Sequence, residues 1–554
     1  MADALSALSL QSGTPLLYEG DLAKNIRSPA LQGASTADAA LDKLLAGTGL
    51  ECRRTGNGAI MVAKEESRPA RQPAKDSENA APALATVKVT GQAGYDSTDP
   101  YNPDYAVPNA TTATKTDTPI METPANIQVL PRSLLDDQQV IRLQDAVKNV
   151  AGVQSAFSAG NSYNIFTIRG FNTAPADTSN AASVYRKGVR LRGFPFPTAN
   201  LQRIEVLKGP ASILFGRIEP GGLINVVPKD ALATHYYSLQ QQFGSYDLYR
   251  TSADATGPLT AGGSLLYRAN FEYLDSGCFR DGLFNRVLDI TPNLTWNLGD
   301  HTTMEFEFEY RHQDGFWDWG LPALGNRPAK IPFSRYLGET SNDRFDRDDY
   351  VVDLDLNHRF DEDWTLTWKG TFIQSDQINT AIYGFGLNEA TGDLSRFFSY
   401  YDYDRTHFYT ALNLTGHFET FGLRRTLLSG FDYYEDKQST IHPFDSPATS
   451  INTFNPVFNA AYQVTPLLNF FQNNEWYGVY LQDQIDLGDQ IHILLGGRYD
   501  DTYSISYRTD AVNVRTRVRR NHGRVPPDGK RPMTLNVFVS VGAVIWALDC
   551  DSAL

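Results

Sequence analysis

The chain has 554 residues, enough for several domains at ~100–200 residues each. Its formal charge of −15 argues against a nucleic-acid partner, which needs a basic footprint. No stretch reaches the ~18 apolar residues of a transmembrane helix, the nearest being the short run 537–548. A closed barrel is then the only membrane architecture left open, and the mean hydropathy of −0.36 does not oppose it, because barrel strands are only half apolar. Cys52, Cys278 and Cys550 lie far apart with no CxxC spacing and read as three isolated thiols.

Residues 1–10 have no basic start, continuous apolar run or small-residue cleavage site, so no export signal is expected in this chain. Residues 1–63 read as a small α/β domain. Ala4, Leu5, Ala7 and Leu8 have helical spacing. A second helix is predicted over residues 36–46, with Thr36 as N-cap, Asp38 at the positive helix start and Gly47 beyond its end. Residues 50–55 and 59–62 read as strands joined by Gly56-Asn57-Gly58, a hairpin signal.

Residues 64–83 form a linker rich in Lys, Glu, Ser, Pro and Ala, of disordered composition. The β-prone segment Leu84, Ala85, Thr86, Val87, Lys88, Val89 and Thr90 follows, within a region ending near residue 92. The polar run 91–109 isolates it, so it must find a sheet edge elsewhere, in cis or in trans. Residues 110–234 read as a compact domain of mixed structure. A helix is predicted over 133–150, with Leu134, Val140, Leu143, Val147 and Val150 on one face. Strands are predicted at 127–130, 166–169, 183–185, 203–208 and 224–228.

From about Tyr236 the texture changes. Residues 304–311, 352–357, 364–369 and 412–415 alternate apolar and polar, which sends the two kinds to opposite faces. Connections near 298–300 and 360–363 are short, whereas 316–347 and 438–474 are long. Short turns on one rim and long loops on the other are the outer-membrane barrel arrangement. Trp364, Trp368, Tyr400, Tyr401, Tyr433, Tyr434, Trp476 and Tyr477 cluster near strand ends, as interface girdles require. A soluble β-sandwich also alternates, but many segments here run ~10–14 residues against ~5–6 for soluble strands. About 12 strands are expected between residues 236 and 508.

The segment 508–531 then carries eight basic and two acidic residues, and alternation ends. Residues 509–554 read as an aberrant tail, with a shifted frame from about 515. An uninterrupted frame through codon 515 at the sequenced locus would defeat that reading.

Residues 201–229, LQRIEVLKGPASILFGRIEPGGLINVVPK, resemble the plug signature of TonB-dependent siderophore receptors. Residues 114–139, 145–153 and FTIRGF at 166–171 follow the same pattern in the same order. Residues 1–63 are similar to the secretin and TonB short N-terminal domain, lacking its first strand, and residues 84–90 look like a TonB box. The resemblance implies an outer-membrane β-barrel around an α+β plug (110–234), with a small N-terminal α/β signalling domain. The family barrel has about 22 strands, so 235–508 would be a partial one. The implied activity is non-enzymatic uptake of a ferric siderophore energised by TonB. Iron would enter only inside its chelator, and no resident cofactor is implied. A signalling partner, an anti-sigma regulator, is implied for the N-terminal domain. The family has Asp or Asn where this chain has Lys187, which puts local plug–barrel contacts in question.

By the same resemblance, Arg169 in IRGF is a candidate ligand contact or a plug–barrel ion-pair residue. Phe194 and Phe196, beside Pro195 and Pro197, are candidate aromatic walls or plug packing. Trp317, Trp319 and Tyr336 lie in a long loop, as ligand contacts or interface anchors. Glu205 and Lys208 read as plug-to-wall charges. The histidines occur singly, with no HxxxH or HExxH, so no direct metal site is expected. GxSxG and Walker loops are absent. Competing readings are a transducer acting mainly on the anti-sigma regulator, a soluble β-rich enzyme, and an inert truncated fragment with unpaired strand edges.

Overall fold

The computed structural model describes residues 16–18, 45, 50–54 and 60–64 of one unit, Met1–Gly91. Of the second unit, Gln92–Leu554, it describes 96–97, 99–155, 165–172, 184–191, 197–216, 218–443, 446–462, 467–488, 491–510 and 533–536. In the first unit β1 (Leu16–Tyr18), β2 (Leu50–Arg54) and β3 (Ile60–Lys64) form a sheet in the order β1-β3-β2. β2 and β3 are the antiparallel hairpin expected around Gly56-Asn57-Gly58. β1 pairs parallel with β3 and was not foreseen, because three residues show no alternation to read. The predicted helices at 4–8 and 36–46 lie outside the described residues, except Leu45, which is helical and buried.

The plug is built on a five-stranded sheet. Its strands are β4 (Asn126–Pro131), β5 (Val184–Arg186), β6 (Val189–Arg190), β7 (Leu201–Lys208) and β8 (Gly222–Pro228), in the order β6-β5-β8-β7-β4. Each lies where alternation or a Gly/Pro boundary predicted a strand, apart from the two-residue β6. The strand predicted at 166–169 ends at Ile168, because Arg169 is left-handed, at φ 50°. Two glycines are sterically required. A Cβ on Gly221 would sit 2.2 Å from the Ile168 carbonyl oxygen, and one on Gly222, at φ 126°, 2.0 Å from that of Leu207.

The single helix expected over 133–150 is corrected to three pieces: α1 (Arg132–Asp137), α2 (Leu143–Ala146) and a 3-10 turn, Val147–Asn149. Gln139 turns left-handed at φ 50°, and the Val140 N–H closes back on the Leu135 carbonyl at 2.9 Å. The apolar face still works. Val140, Leu143, Val147 and Val150 are buried with Phe166, Ile204 and Ile224 in the plug core, and Leu134 packs against it.

From Tyr236 onward a thirteen-stranded sheet forms, twelve of its strands lying between residues 236 and 510. In order they are β9 (Tyr236–Gly244), β10 (Leu248–Pro258), β11 (Leu265–Gly277), β12 (Phe284–Leu298), β13 (Thr302–Gly315), β14 (Arg344–Arg359), β15 (Trp364–Asn388), β16 (Asp393–Thr420), β17 (Leu423–Pro443), β18 (Ser446–Asn452), β19 (Leu467–Leu487) and β20 (Ile491–Asp510). β21 (Met533–Asn536) follows, and β18 pairs with β16 beside the main path. Among the described residues no pairing joins β9 to the last strand, so the sheet is an open barrel wall. Burial settles which way the alternation points. On β12 Asp289, Thr291 and Asn293 are buried while Ile290, Leu294 and Trp296 are exposed. On β13 Glu307 is 1% exposed and Phe306 40%. Polar-in and apolar-out suits lipid and opposes a soluble β-sandwich.

Charge fixes the plug to this wall. Arg186, at the end of β5, is buried and hydrogen-bonds to Glu307 and Asp353, with Glu309 at 3.2 Å. Burial disfavours its cation, but Glu307, Asp353 and Glu309 outweigh that and hold its pKa well above the ordinary value. Lys187 reaches Glu305 at 2.7 Å and Asp355 at 3.4 Å. It stands left-handed, at φ 49°, a conformation Asn and Asp tolerate better than Lys. The departure at this position therefore creates plug–wall contacts. Removing one partner of such a buried set costs roughly 3–5 kcal/mol, because the others stay buried without it. Arg186→Met is expected to loosen plug docking by that amount. Limited proteolysis of the plug across a urea series would read it, and an unchanged profile would refute the anchor.

Candidate ligand site between plug and long-loop rim

The wall has two unlike rims. Strand pairs β10–β11, β12–β13, β14–β15, β16–β17 and β19–β20 turn at one rim, each within a few residues. Residues 316–343, between β13 and β14, and 444–466, around β17–β19, leave the other. A cavity of about 870 Å³ lies between the plug and this long-loop rim. Arg142, Asp145 and Lys148 line it from the plug, and Tyr246, Phe279 and Trp319 from the wall.

Local chain geometry sets the polar side. The left-handed Gln139 breaks the helix, and α2 begins just beyond it, presenting Arg142 and Asp145. Arg142 Nε lies 3.1 Å and Lys148 Nζ 2.6 Å from Asp145. Burial would raise the Asp145 carboxyl, but the bonds and charge of Lys148 and Arg142 hold it below the usual carboxylate range. Gln139 is hydrogen-bonded by Gln242 of β9, which ties plug to wall beside the cavity. Arg142 also pairs through its backbone with Pro197.

Aromatics make the other side. Phe284 and Phe316 meet edge-on at 5.0 Å, and Trp319 stacks on Tyr383 at 4.5 Å. Trp319 keeps 43% of its surface exposed, towards the cavity. Trp317 is buried with Ile165, Ala381 and Tyr401, and lies 5.5 Å from Trp319, ring to ring. Tyr336 is buried too. Its hydroxyl donates to Asp343 at 2.6 Å, and Asp343 also accepts from the Glu339 and Ile382 N–H groups, both at 2.7 Å. Trp317 and Tyr336 thus fold the long loop onto the tall β15–β16 hairpin, and Trp319 alone of the three lines the cavity.

The other candidates lie elsewhere. Arg169 is exposed on the plug, and its N–H donates to the Gly152 carbonyl at 2.8 Å; it does not line the cavity. Phe194, Phe196 and the segment 84–90 lie outside the described residues. Glu205 is corrected. It is buried within the plug, where it accepts from the Thr112 N–H at 2.8 Å and the Thr112 hydroxyl at 2.6 Å. Lys208 donates to the Ala151 carbonyl at 3.4 Å, also within the plug. Arg142, Lys148, Tyr246 and Phe279 were missed. They sit in turns and helix ends, where no periodicity marks a side chain as functional.

A second contact holds the plug's entry segment at the short-turn side. Lys115 Nζ donates to the Tyr480 hydroxyl at 2.9 Å, lies 4.1 Å from its ring centre, and stands 3.8 Å from Asp432. Gln482 donates to the Thr114 carbonyl and Gln484 to the Thr116 hydroxyl, each at 2.9 Å. Burial lowers the Lys115 amine from an ordinary 10.5 to about 7, against the pull of Asp432. Below pH 7 the amine is protonated docked or released, and the penalty is constant. Between about 7 and 10.5 the released segment binds the extra proton, so docking strengthens as pH rises. The hydrogen-exchange protection factor over residues 111–118, taken against the intrinsic rate at each pH, is expected to rise across that window, and Lys115→Met to abolish the rise.

Comparison with known proteins agrees with this architecture. The TonB-dependent Receptor Plug Domain matches residues 119–223, the TonB dependent receptor-like β-barrel 288–548, and the Secretin and TonB N terminus short domain 14–65. The metal-pseudopaline receptor CntO of Pseudomonas aeruginosa is 30% identical over 429 residues, 76% of this chain and 58% of that receptor. The ferrioxamine B receptor of Salmonella typhimurium is 28% identical, over 70% of this chain and 56% of its own length. The crystal structure of the ferripyoverdine receptor of the Pseudomonas aeruginosa outer membrane superposes with a TM-score of 0.64 at 20% identity, over 92% of this chain and 65% of that one. The chain therefore spans less than two thirds of the length of these relatives. With plug, inverted wall and N-terminal sheet all present, the chain belongs to the TonB-dependent receptors of the outer membrane.

Proposed function

We propose that the protein is a receptor for TonB-energised uptake of a ferric siderophore. The cavity at the long-loop rim is the observation that carries this reading. It combines plug cations, Arg142 and Lys148, with the wall aromatics Tyr246, Phe279 and Trp319. Flat aromatic faces suit the organic shell of a chelate, and cations suit its anionic oxygens. Named relatives bind chelates of this kind, such as ferrioxamine B. The long-loop rim would face outwards, as in outer-membrane barrels. Iron is cargo here, held by its chelator, with no resident cofactor. Residues 84–90 are the segment we assign to TonB, which would add them as a strand to its own sheet edge. No bond is made or broken in the ligand.

Titration of the purified protein with ferrioxamine B, ferrichrome and a ferric pyoverdine should quench Trp319 fluorescence for at least one chelate. Trp319→Ala and Lys148→Ala should each weaken that binding by ~1 kcal/mol, about fivefold. Binding that neither substitution alters would place the ligand elsewhere, and no binding of any ferric chelate would refute the reading.

The N-terminal match supports a second role, signalling to an anti-sigma regulator when ligand binds. Deleting residues 1–63 from the intact gene should then spare iron uptake and abolish induction. Lost uptake would count against separate roles.

A further inference from the structure

The Lys115 segment leads into a 3-10 turn, Ile120–Glu122, beside the short-turn rim. Pro119 and Pro124 flank this turn, and the Thr123 hydroxyl closes it onto the Pro119 carbonyl at 2.9 Å. The Glu122 carboxylate has no hydrogen bond or ion pair among the described residues. It lines a cavity of about 380 Å³ whose opposite wall includes Asp486 and His492. Those two are directly opposed in the β19–β20 hairpin. His492 is 3% exposed, and its Nδ1 lies 2.7 Å from Asp486 Oδ1. Arg424 approaches the other oxygen, Oδ2, at 3.7 Å and leaves Oδ1 to the histidine. One ligand atom from each of Glu122, Asp486 and His492 lies within 4.8 Å of the others.

We propose that Glu122, Asp486 and His492 form a site for a divalent transition-metal ion of the zinc class, joining the plug's entry turn to the barrel wall. The ligand chemistry fits. One imidazole nitrogen and two carboxylate oxygens form a three-ligand set that zinc accepts, leaving a fourth position for water. Bonds of about 2.0–2.2 Å place ligand atoms roughly 3–4 Å apart, so a small inward shift of the Glu122 turn completes the set. The metal takes the place of the Nδ1 proton between His492 and Asp486 Oδ1; that proton passes to solvent while Nε2 takes one up, so the imidazole stays neutral as its Nε2–H tautomer. Two like charges and a buried imidazole are then compensated by one ion. The proline-flanked turn costs little entropy to hold, since its backbone is already restricted. Such an ion ties the plug to the wall close to where Lys115 holds it. The site is chemically separate from the chelate cavity and stands whether or not a siderophore is the cargo.

His312, Asp346 and Asp348 form a second group of possible ligands at the long-loop end of the wall. It supplies an internal control. The purified full chain, in detergent, is dialysed to equilibrium against Zn2+ with Mg2+ in excess. One Zn2+ per chain is expected. Glu122→Gln and His492→Asn should each weaken binding at least about tenfold, and His312→Asn should leave it unchanged. Glu122 is only partly buried and its carboxylate makes no bond among the described residues, so its isosteric amide replacement leaves the fold intact and is the decisive variant. Zn2+ should also slow hydrogen exchange at residues 120–123 in the unsubstituted protein and not in Glu122→Gln. Absence of stoichiometric Zn2+ binding, binding indifferent to Glu122→Gln, or binding lost with His312→Asn would each overturn the proposal.

Discussion

Strands that cross lipid must pair every backbone group within the sheet and turn apolar side chains outward. Their polar side chains then have one place to go, the interior. In this protein that constraint fills the inner wall with Glu305, Glu307, Glu309, Asp353 and Asp355, clustered on β13 and β14. Five carboxylates facing a dry interior would repel one another and could not all stay ionised. The plug supplies the answer as Arg186 and Lys187, and Lys369 adds a third cation 3.5 Å from Asp355. Wall and plug are therefore complementary by necessity, and neither is stable with its charges facing nothing.

The same constraint separates two kinds of plug contact. Around Arg186 the partners are many and fully buried, so they hold the plug sheet in place. At the short-turn side the contacts are fewer and involve an amine that burial discourages from being charged. Lys115 leans on one tyrosine and a carboxylate that Arg498 already satisfies at 2.6 Å. Under the proposed TonB-energised uptake this segment is the one pulled, and contacts of the second kind are the easier to release. The cavity at the opposite rim lies beside the broken helix, so its lining and the plug packing share α2. Occupying the cavity and shifting Arg142 or Asp145 would therefore be felt in the plug core through Leu143 and Val147, which are both buried.

Much of the fold could be read in the residues because membrane strands obey a simple rule. Alternation at 304–311 or 364–369 marks a two-faced strand, and the expected count of about 12 strands matches the twelve wall strands found between 236 and 510. The plug strands were legible for a related reason: glycines such as Gly221 and Gly222 occur where no Cβ fits. The helix over 133–150 was read as continuous because its apolar spacing is continuous. Spacing records which side chains reach the core and does not register that Gln139 turns left-handed between them. Glu205 was misassigned for a similar reason. A lone carboxylate in a strand gives no sign of whether its partner is a distant wall or the backbone of Thr111 and Thr112.

Sequence alone showed two-faced strands and tight turns, because alternation and turn glycines are local signals, and the family was legible only through the resemblance of the plug segment. The site was another matter. Trp317, Trp319 and Tyr336 are equivalent as letters in one long loop, yet only Trp319 faces the cavity, while the other two are spent on folding the loop. Glu122, Asp486 and His492 have no motif spacing, because a plug turn and a barrel hairpin bring them together across most of the chain. Tertiary structure decided these points because they depend on which surfaces a folded plug turns towards its wall, and that information is not local to any stretch of residues.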